Sequence, residues 1–121
     1  MYKFEQLEVY QLALDYIDQI YTLADKLPRN EAYNLSSQIT RAATSIALNI
    51  AEGSTGQSDA EQGRFLGMAI RSLLETIACQ HIIQRRGYLK HDDPLLLRLD
   101  ASGQTLARKL QAMRKKMDDR P

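Results

Sequence analysis

The chain has 121 residues, 44% hydrophobic and 26% charged, a balance that suits one folded domain and excludes a disordered tail, a collagen repeat or a disulfide-stapled miniprotein. Sixteen basic against fifteen acidic residues leave a formal charge of +1, which by itself points to neither nucleic acid nor membrane. The halves differ: residues 1–60 hold four bases against eight acids, a balance of −4, and residues 61–121 hold twelve against seven, a balance of +5.

The longest charge-free run, Ala42 to Ala51, is ten residues. A bilayer-spanning helix needs roughly 20, so no membrane partner is expected. The opening Met1-Tyr2-Lys3-Phe4-Glu5 lacks the apolar core of an export signal, and a cytoplasmic location is the expectation. Cys79 is the only cysteine; it forbids an internal disulfide, fits a reducing compartment and reads as a small, partly buried helix residue.

Period and punctuation predict four helices, at about 4–27, 31–52, 59–86 and 94–117. In the first, Leu7, Tyr10, Leu14, Ile17, Tyr21 and Ala24 step by three and four, placing them on one stripe until Pro28. Asn30 is a candidate cap for the second, whose seam is Leu35, Ile39, Ala42, Ile46 and Ile50, with Gly53 as its stop. Ser58 and Glu61 have capping-box spacing ahead of Leu66, Ile70, Leu73 and Ile77, a seam that runs on to Gly87. Asp93-Pro94 is a cap followed by an N1 proline, ahead of Leu96, Leu99, Gly103, Leu106, Leu110, Met113 and Met117. Nothing reads as a strand. Four long helices with heptad-like seams and short polar connectors predict an all-α, antiparallel up-and-down four-helix bundle, elongated and forming a single domain across 1–121.

Two helices exceed what a bundle requires. Ten of the 22 residues from Glu31 to Glu52 are Ala, Ser or Thr, which lets backbones approach closely and suggests a central, doubly packed helix. The first helix carries a second apolar line, Val9, Leu12, Tyr16 and Leu23, rotated about 100° from its main stripe. This surplus reads either as a broad core contact or as a homo-oligomer interface.

No catalytic constellation is legible. A di-iron bundle needs Glu-x-x-His pairs, but Ala78 precedes His81 by three residues and Tyr88 precedes His91. Haem attachment needs a second cysteine, and the glycines lack the strand and lysine of a phosphate loop. Cys79 and His81, two apart on a helix, point away from each other. The expectation is a binding or assembly module: not an enzyme, with no cofactor, metal or small-molecule substrate.

The bases are the remaining candidates. Arg64, Arg71 and Arg85 are separated by multiples of seven on the third helix, and Arg86 and Lys90 carry positive charge into the next loop. On the fourth, Arg108 and Lys115 share one outer row, Lys109 and Lys116 the next. Three readings stand side by side: a solvated face, contact with RNA or DNA phosphates, or contact with the acidic half of a neighbouring copy. Base-stacking aromatics are missing from this face, which argues against sequence-specific single-strand recognition.

The ordered motifs Ser37-Gln38-Ile39-Thr40-Arg41-Ala42-Ala43-Thr44-Ser45-Ile46, Asn49-Ile50-Ala51-Glu52-Gly53, Arg64-Phe65-Leu66 with Ala69, Ser72-Leu73 and Glu75, and Gly87-Tyr88 strongly resemble one family. It is the bacterial four-helix-bundle family known from open reading frames in intervening sequences of 23S ribosomal RNA genes. The opening Phe4-Glu5-Gln6-Leu7-Glu8-Val9-Tyr10 is similar to its start, and the resemblance runs from about Phe4 to Tyr88. It implies a ring-like homopentamer of poorly defined role, and looks related to the accessory proteins of diversity-generating retroelements, pentamers thought to bind nucleic acid beside a reverse transcriptase. Arg41, Asn49, Glu52, Gly53 and Glu75 match motif positions, with structural ion pairs from Arg41 and Arg64 to Glu52 and Glu75 as one reading. Two departures stand out. Ala47-Leu48 replaces the usual proline and serine, and Ser54-Thr55-Gly56-Gln57-Ser58-Asp59 replaces a segment that is typically aromatic and basic.

Overall fold

The computed structural model describes residues 1–56 and 58–119; Gln57, within the Ser54–Asp59 segment, lies outside them. Among the described residues there are four α-helices and no strand: α1 (Glu8–Asp25), α2 (Leu35–Ser54), α3 (Asp59–Arg85) and α4 (Pro94–Asp118). Helix α1 packs on α2 and α4, and α3 on α2 and α4, while across the α1–α3 diagonal the Tyr16 side chain reaches Thr76 and Gln80. Every helix therefore has two neighbours: α2 is doubly packed as expected, on α1 and α3, and shares that position with the other three rather than being central.

The direction of each helix is fixed by contacts that run oppositely along neighbours. Ser45 meets Ser72 while Gly53 meets Phe65, so α2 and α3 are antiparallel. Lys109 meets Glu8 and Ser102 meets Gln19, so α1 and α4 are too. At 1.5 Å per residue, the 27 residues of α3 give a rod about 40 Å long.

Local chemistry sets the ends. Ser58 Oγ accepts from the Glu61 N–H at 3.1 Å, and Asp93 Oδ1 accepts from the Leu95 N–H at 2.9 Å with Pro94 at the first turn. Gly87, at φ 76°, ends α3 in a Schellman motif: Tyr88 N–H donates to Ile83 C=O and Gly87 N–H to Gln84 C=O. Two starts differ from expectation. Residues Lys3–Gln6 form a 3-10 turn, because extended Leu7 interrupts the chain before α1. Residues Arg29–Glu31 form another, and Asn34 rather than Asn30 precedes α2. The inward-turned Glu31 holds that turn, its carboxylate accepting from Tyr88 Oη at 2.6 Å and Asn34 Nδ2 at 3.0 Å.

The seams expected for α2, α3 and α4 form the core, with Ile77 and Met113 at its margin. Helix α1 is turned relative to expectation. Val9, Tyr16 and Leu23 are buried and Leu12 is half-buried, together with Ala13 and Ile20, whereas Leu14 and Tyr21 of the supposed main stripe are exposed. The proposed interface line is thus the core line and is covered within one chain. The reason lies in α3 and α4. The Tyr16 ring lies against Gly103, where an added Cβ would stand 3.4 Å from Cε1, and its hydroxyl meets Thr76 at 2.7 Å and Gln80 at 3.0 Å. A buried phenol needs such partners, and the observed orientation of α1 brings Tyr16 to them.

Gly53 does not stop α2, which continues to Ser54. Its role is close approach: a Cβ there would sit 2.7 Å from Phe65 Cβ. This contact lets α2 and α3 pack as the most intimate pair of the bundle.

Candidate functional site

The motif residues from two different helices converge on a groove between α2 and α3. Asn49 Nδ2 donates to the Ser45 carbonyl at 2.9 Å and to its Oγ at 3.0 Å, and Ser72 Oγ donates across to Ser45 Oγ at 3.0 Å. Met68, Arg71 and Glu75 complete the lining of a groove of about 380 Å³. Short side chains at positions 45 and 72 make this crossing possible, since a longer residue at either would separate the helices. The groove's hydroxyls and amide are occupied with one another, so they hold the helix pair in register rather than offering free donors to a ligand.

The expected ion pairs of this region do not form: among the described residues none joins Arg41 or Arg64 to Glu52 or Glu75. Within one helix Arg41 and Glu52, like Arg64 and Glu75, lie eleven residues apart, about 16 Å. All four are exposed to competing water, and the Arg64 guanidinium instead lies 4.9 Å from the Phe65 ring centroid.

The bases separate into distinct places. Arg108 and Lys115 lie opposite the buried Leu99–Leu106–Leu110 seam of α4 and face solvent, with exposed Lys116 beside them. Lys109 turns to α1, where its Nζ stands 2.9 Å from Glu8 Oε1. Arg71 lies on the far side, in the α2–α3 groove. Arg85 and Arg86 are at the C-terminal end of α3, some 32 Å along the helix from Arg64. The eight bases therefore do not form one surface; the outward row of α4 is the continuous part. Arg114, passed over in the sequence, crosses from α4 toward Gly67, where an added Cβ would meet its guanidinium at 2.9 Å. Nothing in its spacing distinguished it from the neighbouring bases, because the signal is a glycine on another helix.

A cleft of about 290 Å³ between α3 and α4 is lined by both histidines, Asp100 and Gln80. Among the described residues no three His, Cys, Asp or Glu side chains approach closely enough to hold a metal ion. His81 is exposed, while Cys79 is buried and its thiol is pushed up by burial, away from the nucleophilic thiolate. No helix among the described residues is long and apolar enough to cross a membrane.

Residues 5–112 match the family model of the 23S rRNA-intervening sequence protein. The chain belongs to this family. A search of curated proteins returned no match. The matched span runs from the 3-10 turn before α1 into the last third of α4 and so takes in residues of all four helices.

Proposed function

We infer that this 23S rRNA-intervening sequence protein is a non-enzymatic homo-oligomer that binds RNA or DNA through phosphate contacts, without sequence preference. The observation that carries this reading is the outward face of α4: Arg108, Lys115 and Lys116 are exposed, lie opposite the core, and have no ion-pair partner among the described residues. Such a row needs no base-reading motif, because phosphate contacts displace condensed counterions whatever the sequence. The resemblance to retroelement accessory proteins points to the same class of partner, and implies a ring of five subunits. The reading puts the protein in the cytoplasm, where a lone reduced thiol such as Cys79 persists.

A second reading is a protein-partner scaffold without nucleic acid. It is favoured by α3, whose arginines are interleaved with exposed Met68, Leu74 and Ile82, an unsuitable surface for phosphates. Fluorescence anisotropy with a 23S rRNA fragment and random duplex DNA separates the two. Binding that weakens steeply with salt and is lost in Arg108→Ala/Lys115→Ala/Lys116→Ala supports the first reading; no binding at low salt leaves the second.

A further inference from the structure

Helices α1 and α3 stand on opposite corners of the bundle, joined inside it by Tyr16 with Thr76 and Gln80, and each carries an exposed heptad row on its outer side. On α1, exposed Leu14 and Tyr21 are seven residues apart, and Asp18 and Asp25 repeat the same interval four positions on. On α3, exposed Arg64 and Arg71 are seven apart, flanked by Met68 and Ile82 with Glu75 between them. The geometry points to a second copy of this chain as the occupant of both rows, the acidic α1 row of one subunit docking on the basic α3 row of the next.

Three features support one occupant for both rows. Each combines apolar and charged residues at seven-residue spacing, the pattern of a helix seam with flanking charges. Asp18 and Asp25 are opposite in charge to Arg64 and Arg71, and both pairs repeat at about 10.5 Å along the axis, so successive carboxylates and guanidiniums can meet in register. The rows lie on opposite sides of the molecule, so the contact is head-to-tail, the type that closes into a ring or runs on as a fibre rather than stopping at a twofold dimer. Arg64 and Arg71 then serve assembly, leaving the outward row of α4 for phosphates. This inference rests on the homo-oligomer reading and names the surfaces that build it.

Sedimentation velocity on the full chain at micromolar concentration tests it, with circular dichroism on every variant. Asp18→Lys/Asp25→Lys and Arg64→Glu/Arg71→Glu each place like charges opposite one another, and each is expected to raise the subunit dissociation constant at least about a hundredfold. The fourfold variant combining both pairs restores the attraction and reassembles. The milder Asp18→Asn/Asp25→Asn removes the attraction without repulsion, weakens assembly by about tenfold, and decides the matter should a reversal reduce helicity. An oligomeric wild type unaffected by either reversal, or a fourfold variant that stays monomeric while helical, overturns these surfaces and leaves the oligomer standing. A monomeric wild type removes the oligomer reading itself.

Discussion

The Tyr16 hydroxyl donates to Thr76 Oγ1 at 2.7 Å in the middle of the bundle, and the direction of that bond is fixed by its neighbours. Thr76 spends its own proton on the Leu73 carbonyl at 2.6 Å, and Gln80 Nε2 donates to Tyr16 Oη at 3.0 Å. A directed chain therefore runs from Gln80 through Tyr16 and Thr76 to the α3 backbone. Burial raises the Tyr16 pKa, so the phenol stays protonated and keeps donating. Tyr16→Phe leaves the Gln80 amide without its acceptor and is expected to cost about 1–3 kcal/mol in urea denaturation. A loss below about 0.5 kcal/mol would show that water or Gln80 itself repairs the gap.

Two glycines on α2 and α3 should respond oppositely to the same methyl group. At Gly53 an added Cβ meets another Cβ at 2.7 Å, an atom that moves only with its helix, so Gly53→Ala is expected to destabilise by about 1–3 kcal/mol. At Gly67 the obstacle is the far end of Arg114, which can swing into solvent. Gly67→Ala then gains helix propensity of about 0.5–1 kcal/mol and should be neutral or stabilising. Thermal melts of the two variants check the contrast; equal losses at both sites would contradict it.

Seam spacing was enough to read the core faces of α2, α3 and α4 from the sequence, because each has one apolar line, and Ser58, Gly87 and Asp93-Pro94 mark the two ends of α3 and the start of α4. Helix α1 carries two such lines, and periodicity cannot choose between them. The choice comes from Gly103, Thr76 and Gln80, residues 60 to 87 positions away. The α2–α3 groove was hidden for the same reason: Ser45 and Ser72 each look like ordinary helix-surface residues until an antiparallel pairing sets them 3.0 Å apart. Gly53 was misread as a stop because a close-approach glycine and a C-terminal glycine look alike in sequence.

The contact between Glu31 and Tyr88 ties the α1–α2 connection to the end of α3, and it should make stability depend on acid. Hydrogen bonds from Tyr88 and then Asn34 hold the Glu31 carboxyl below its ordinary value of 4.5. A lowered folded pKa means that the stabilisation is complete above the ordinary value and disappears as pH falls through the folded one. The urea midpoint of the wild type should therefore drop more than that of Tyr88→Phe between about pH 5 and 3, the two converging in acid. Parallel profiles would mean that the carboxyl gains nothing from Tyr88.

The ion pair of Lys109 with Glu8 is a control for the basic face. Both side chains are open to solvent, at 40% and 68% exposure, so the pair is worth about 0–1 kcal/mol. Lys109→Ala should leave the melting temperature nearly unchanged and weaken nucleic-acid binding less than Lys116→Ala, since Lys116 has no such partner among the described residues. Equal losses in binding would place both lysines on phosphates.

The salt dependence of nucleic-acid affinity tests the proposed role most directly. Each phosphate contact contributes about −0.9 to the slope of log K against log salt on duplex DNA and about −0.7 on single strands. Wild-type protein should show a steep slope on ribosomal RNA and on random duplex alike, and Arg108→Ala/Lys115→Ala/Lys116→Ala one shallower by about two to three units. No binding at low salt, or a slope unchanged in the variant, would contradict a phosphate-binding face on α4.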